Sequence, residues 1–124
     1  MTIQRSLVSV VDDDESVRES LPDLLREFGF AARTFSSAEE FLASDSVRQT
    51  KCLIVDVAMP GMTGPDLQRE LARLHQKIPI VFITAHTSDA IRPRLLKHGA
   101  VECLFKPFTD TALLDALNAA IQRN

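Results

Sequence analysis

The sequence has no apolar run long enough to cross a bilayer, and its opening Met1-Thr2-Ile3-Gln4-Arg5 lacks the long apolar core of a secretory signal. A cytoplasmic protein without a membrane partner is therefore expected. Basic residues are not in excess either: 14 Lys and Arg against 17 Asp and Glu leave a net charge of −3. Gripping a phosphate backbone needs the opposite balance, so direct nucleic-acid binding by this domain is not expected. Cysteine is scarce. Cys52 and Cys103 lie inside apolar runs without metal-ligand spacing and read as buried free thiols. No repeat, low-complexity tract or linker interrupts the chain. Residues 1–124 are thus expected to form one domain, with no output domain left over.

What the chain does have is 45% hydrophobic and 25% charged residues, enough to bury one core. Five short apolar runs, Leu7 to Val11, Ala31 to Phe35, Cys52 to Val55, Ile80 to Ile83 and Val101 to Phe105, show little polar alternation. That is the pattern of strands covered on both faces. Five amphipathic stretches separate or follow them. The first carries Val17, Leu21, Leu24, Leu25 and Phe28 at helical spacing, stops at Gly29, and holds a Pro22 expected to kink it. The second opens on Ser37 and Glu40 in capping-box spacing. The third has Pro65 near its start. The fourth is predicted from about Ser88 to His98, shortened or bent by Pro93, and the fifth presents Leu113, Leu114, Leu117, Ala120 and Ile121 to the core.

Strict alternation of this kind predicts an α/β fold, a doubly wound parallel sheet with helices on both faces. Arg33, Thr34 and Glu102 mark the second and fifth strands as edges, which fits the flavodoxin-like strand order 2-1-3-4-5. Chemistry in such sheets gathers at the carboxyl ends of the strands. There the sequence places Asp12-Asp13-Asp14-Glu15, Asp56, Thr84, and Lys106-Pro107. Close carboxylates repel, and a hard cation with oxygen ligands relieves that repulsion; few carboxylates with open positions suit Mg²⁺ beside a phosphate. A carboxylate can itself be the nucleophile, with Lys106 and the Thr84 hydroxyl neutralising phosphoryl oxygens and small Ala85 leaving room for entry. Asp14 and Glu15 read instead as helix-start residues favouring the dipole.

Over essentially the whole chain these residues resemble a response-regulator receiver domain of two-component signalling. The resemblance rests on Val10-Val11-Asp12-Asp13, on Ile54 to Gly64 around Asp56, on Ile83-Thr84-Ala85, and on Gly99-Ala100 followed by Lys106-Pro107-Phe108. It is strongest towards the FixJ-like branch, in Val11 to Arg18, Ser37 to Leu42 and Ile83 to His86. The resemblance implies a CheY-like fold and a phosphoacceptor switch rather than an enzyme. Asp56 would accept phosphate from a sensor histidine kinase. Asp13 and Asp56 would bind Mg²⁺ with the Ala58 carbonyl, and Asp12 partly through water. Lys106 would bridge to the phosphoryl group, ahead of a cis bond to Pro107. Thr84 would pass the change to the surface of the fourth helix, fifth strand and fifth helix, and so to an effector protein or output domain. Homodimerisation through that surface is a further implication.

Three positions set this chain apart within the resemblance. Cys103 stands three before Lys106, where the family usually carries an aromatic switch ring. Ala58 and His86 flank the route of hydrolytic water: Ala58 leaves it open, and His86 could screen it or orient the water. Among rival classes, a haloacid-dehalogenase-type phosphatase would need a second aspartate where Ala58 stands. A flavodoxin-type carrier would need a Ser, Thr and Gly loop where this chain is acidic. The remaining alternative is a receiver-like interaction domain that signals without phosphorylation.

Overall fold

The structure is a computed structural model, which describes residues 5–85 and 90–122. Five strands, β1 (Leu7–Val11), β2 (Ala31–Phe35), β3 (Thr50–Asp56), β4 (Ile80–Thr84) and β5 (Glu102–Phe105), form one parallel sheet. Their order is β2-β1-β3-β4-β5, with the Arg33 and Glu102 strands at the edges as expected. Every residue of β1 and β4 is buried, as continuous apolar runs require when both faces are covered. Helices α1 (Glu15–Glu27), α2 (Ala38–Leu42), α3 (Ser46–Gln49), α4 (Gly64–Arg73), α5 (Ile91–Lys97) and α6 (Asp110–Gln122) supply the cover.

Strand residues alternate between two cores. Val8, Val10, Ile54, Val81 and Ile83 meet Leu21 and Leu25 of α1 and Leu113 and Leu117 of α6. Val11, Leu53, Val55 and Phe82 meet Phe41 of α2, Leu67 and Leu71 of α4, and Leu95 of α5. At about 25 cal/mol per Å² of apolar surface buried, these two layers dominate the stabilisation of the fold. Cys52 belongs to the first core and Cys103 to the second, both as free thiols. Burial alone pushes the Cys52 thiol up to about 12, and burial is the main cause of a rise at Cys103.

Helix ends largely follow their sequence signals. Gly29 after α1 and Gly99 after α5 have φ of +96° and +104°, the left-handed conformation that a terminating glycine adopts without steric cost. Pro22 is buried within α1, which runs through it to Glu27. Three details differ from the sequence reading. There are six helices rather than five, because α3 makes one extra turn between α2 and β3. Four residues are too few to show a 3.6-residue period, and the Asp45 side chain at the N-cap makes no capping bond. Secondly, Ser37 does cap α2 through the Glu40 N–H (3.1 Å), but the Glu40 carboxylate reaches Ser36 rather than closing the box on Ser37. Thirdly, α5 begins at Ile91, so Pro93 falls in its first turn, where a missing N–H leaves no bond unmade. The expected start near Ser88 lies outside the described residues.

Candidate functional site

Register assembles the site. Val11 pairs with Val55, which brings the next residue of the chain, Asp12, level with Asp56. On the other side Asp56 pairs with Ile83 and Thr84 with Phe105, so that Lys106 follows immediately. The carboxyl ends of β1, β3, β4 and β5 therefore deliver two aspartates, a threonine and a lysine to one edge of the sheet, with Asp13 beside them.

Asp12 is fully buried and held from four directions. Its N–H donates to the Phe35 carbonyl (3.1 Å), and Arg18 Nη1 donates to its own carbonyl (2.9 Å). Its carboxylate accepts from the Asp14 N–H (2.9 Å) and from Lys106 Nζ (3.0 Å). Asp14, as expected, turns outward to cap α1: its carboxylate accepts from the Ser16 N–H and hydroxyl, and those bonds hold it below the usual carboxylate range. Asp13 is exposed at the mouth.

Asp56, the last residue of β3, is 8% exposed. Lys106 Nζ lies 3.9 Å from its Oδ2. Burial pushes the Asp56 carboxyl up to about 6, aided by the charge of Asp12 and less by Asp13, while Lys106 and the Ala58 N–H pull the other way. One carboxylate oxygen from each of Asp12, Asp13 and Asp56 lies within 4.8 Å of the other two. One ammonium faces three carboxylates. That donor set fits a small, hard divalent cation with oxygen ligands.

Thr84 is buried at the end of β4, and its carbonyl accepts the Lys106 N–H (2.8 Å) ahead of a cis Lys106–Pro107 bond. Ala85 and Ala58 are exposed beside the pocket. His86 lies outside the described residues. Cys103 is not in the pocket: it packs in the core of the α2, α4 and α5 side with Phe82, Leu95 and Ala100.

Two supports were not singled out from the sequence. Arg18 braces the Asp12 backbone from within α1, and nothing in its spacing announces that reach. Gly64 is the other. A Cβ there would sit 2.5 Å from the Asp56 carbonyl oxygen and 2.9 Å from Phe82 Cε1, so only glycine lets α4 start against the end of β3. Its neighbours carried a signal: Thr63 and Asp66 form a reciprocal capping box around Gly64 and Pro65.

With the geometry in place, comparison with known proteins is decisive. The family model described as the response regulator receiver domain matches residues 8–118. This chain belongs to the response-regulator receiver family. Nodulation protein W of Bradyrhizobium diazoefficiens is 48% identical over 120 residues, covering 97% of this receiver chain and 53% of that protein. Transcriptional regulatory protein FixJ of Rhizobium meliloti is 40% identical over 113 residues, covering 91% and 55%. Among solved structures, response regulator StyR matches with a TM-score of 0.89 at 48% identity, over 97% of this chain and 61% of that one. The FixJ-N structure matches with a TM-score of 0.87 at 37% identity, over 98% of each. The chain spans about half the length of the curated relatives it matches. Receiver domains are signalling domains of two-component systems, not classical enzymes, and the family implies a sensor kinase and an output partner. No helix among the described residues is long and apolar enough to cross a membrane.

Proposed function

We propose that residues 1–124 act as a Mg²⁺-dependent phosphoryl acceptor, with Asp56 as the accepting side chain and a sensor histidine kinase as donor. The observation that carries this reading is the placement of the Asp56 carboxylate: nearly buried, 3.9 Å from an ammonium, and among carboxylates that leave negative charge uncompensated. A carboxylate oxygen of Asp56 attacks the phosphorus of the kinase phosphohistidine. The P–N bond breaks, an acyl phosphate O–P bond forms, and the imidazole leaves with the electron pair and takes up a proton. A carboxyl near pKa 6 is mostly ionised at neutral pH and so available as the nucleophile.

Mg²⁺, held by Asp13, Asp56 and the Ala58 carbonyl with Asp12 in support, would neutralise phosphoryl oxygens. The chain's own groups do the rest. Lys106 exchanges part of its pairing with Asp12 for the incoming phosphoryl oxygens. Thr84 offers its hydroxyl to one of them, and Ala85 leaves the approach open. Thr84 ends β4 and Lys106 directly follows β5, so their movement would be transmitted to α5, β5 and α6, the elements expected as fourth helix, fifth strand and fifth helix. That surface would govern an effector protein or an output domain, and a phosphorylation-linked homodimer is one form its readout could take. Cys103, a buried core residue, puts a small thiol in place of the family's bulky ring.

Incubation with acetyl phosphate and Mg²⁺, read by intact mass, tests the assignment. One added phosphoryl group is expected, absent in Asp56→Asn and without the metal. No mass gain, or a gain that persists in Asp56→Asn, overturns it and leaves the alternative of an interaction domain that signals without phosphorylation. No observation in the structure favours that alternative.

A further inference from the structure

Helices α4 and α5 pack side by side on one face of the sheet and leave a groove of about 350 Å³ between them. It lies apart from the acidic pocket and shares no residue with it. Each helix turns one stripe towards the groove: Pro65, Gln68, Arg69 and Ala72 from α4, and Ile91, Arg94, Leu95 and His98 from α5 and its cap. Both stripes follow the i, i+3, i+4, i+7 spacing of a single helix face. Leu95 is rooted in the core, and Ile91 packs against it, so the floor is fixed and apolar. The Gln68 side chain donates to the His98 carbonyl (3.2 Å), tying the two walls together at one end.

The charge of the walls is unbalanced. Segment Ile91–Lys97 contains Arg92, Arg94 and Lys97 and no acid, in a chain whose net charge is −3. Arg92 is spent on Glu102 (2.6 Å), at the β5 edge. On α4, exposed Arg69 pairs with half-buried Asp66 and exposed Arg73 with half-buried Glu70, both at i,i+3 spacing. Such surface pairs contribute little and exchange readily, and the Arg69 guanidinium keeps donors to spare. Arg94, by contrast, has no ion pair among the described residues and lines the groove directly. The groove thus joins an apolar floor to a guanidinium on each wall.

We propose that this groove is a docking site for an acidic amphipathic segment of a partner protein, which seats apolar side chains on Ile91, Leu95 and Ala72 and sets carboxylates against Arg94 and Arg69. The occupant's chemistry follows from complementarity: a helix-in-groove contact uses i, i+3, i+4 anchors, and the arginines select carboxylates at its rim. A second copy of this chain is a poorer fit, since Leu74 is the one large hydrophobic side chain strongly exposed among the described residues, and it lies beyond the end of α4.

The probe is a fluorescein-labelled amphipathic peptide of about 15 residues, with leucines on one face and glutamates flanking them, titrated against the full chain by anisotropy. Saturable binding is expected, weakened about tenfold or more by Arg94→Glu and by Ala72→Glu. Both substitutions are at exposed positions, and circular dichroism together with phosphoryl acceptance at Asp56 establishes that each variant is folded. Three results overturn the proposal: equal binding of the same peptide with lysines for glutamates, equal binding with serines for leucines, or unchanged affinity in both variants. Absence of binding by the wild-type chain at low salt overturns it as well. Sedimentation showing self-association that Ala72→Glu abolishes would assign the groove to a second copy instead.

Discussion

Asp56 differs from a surface aspartate because its burial and the Asp12 charge both oppose its ionisation, and Lys106 offsets them only in part. A folded pKa of about 6 lies above the ~3.9 of an unfolded aspartate, so the folded chain holds the proton more tightly. The sign of the linkage follows. This group favours the folded state below about pH 4, loses that contribution as pH rises to about 6, and stays at the lower level above. Asp56→Asn keeps the shape of the neutral form and removes the titration. Without divalent cations it should be more stable than the parent by roughly 2–3 kcal/mol at neutral pH, with the gap closing near pH 4. Urea melts at the two pH values measure this, and equal midpoints at neutral pH would sink it. Ala58 is a second residue with a measurable consequence. Its methyl is exposed beside the pocket, and the family resemblance implies that Ala58 and His86 flank the route of hydrolytic water. Ala58→Arg should lengthen the lifetime of the phosphorylated chain several-fold, and His86→Ala should change it. Decay followed by intact mass would show unchanged rates in both if neither residue controls water.

The junction of β3 with α4 turns on the missing side chain at Gly64. Gly64→Ala puts a carbon against the Asp56 carbonyl oxygen, a backbone atom that cannot swing aside. We expect a loss of about 1–3 kcal/mol, the range for forcing an atom into a packed site, together with slower phosphoryl acceptance because the end of β3 shifts. A variant with the parent's urea midpoint and acceptance rate would show that α4 can retreat at no cost. At this scale the sequence was legible where chemistry repeats over several residues. Buried runs located all five strands, and Gly29 and Gly99 marked two helix ends. Where a feature is a single contact it left little trace. One-turn α3 has no period to detect, Glu40 chose Ser36 over Ser37, and Gly64 stood only as the end of the segment from Ile54 to Gly64, with no sign of its close contact with β3. The candidate pocket was legible because the parallel topology converts four separated sequence positions into neighbours. How closely Lys106 divides itself between Asp12 and Asp56 needed the register and the side chains.

Across the whole molecule, the acidic pocket and the α4–α5 groove occupy different parts of one sheet, linked by α4, which begins at Gly64 against Asp56 and carries Arg69 on its stripe. The two cores on opposite faces of the sheet each contain one thiol. Cys52 lies in central β3 with its thiol pushed up to about 12, whereas Cys103 lies in edge strand β5, also raised chiefly by burial. Only a thiolate attacks a maleimide or iodoacetamide at a useful rate, so neither residue should label while its core is closed. Uncovering Cys103 requires that α5 lift from the edge strand β5; uncovering Cys52, in central β3, requires that α1 and α6 leave the first core. The molecule therefore carries two clocks. Cys103 should be alkylated at least tenfold faster than Cys52 under native conditions, reporting partial opening of the edge, while Cys52 keeps the time of complete unfolding. Peptide mapping after timed labelling would read both, and equal rates would mean that the sheet opens all at once.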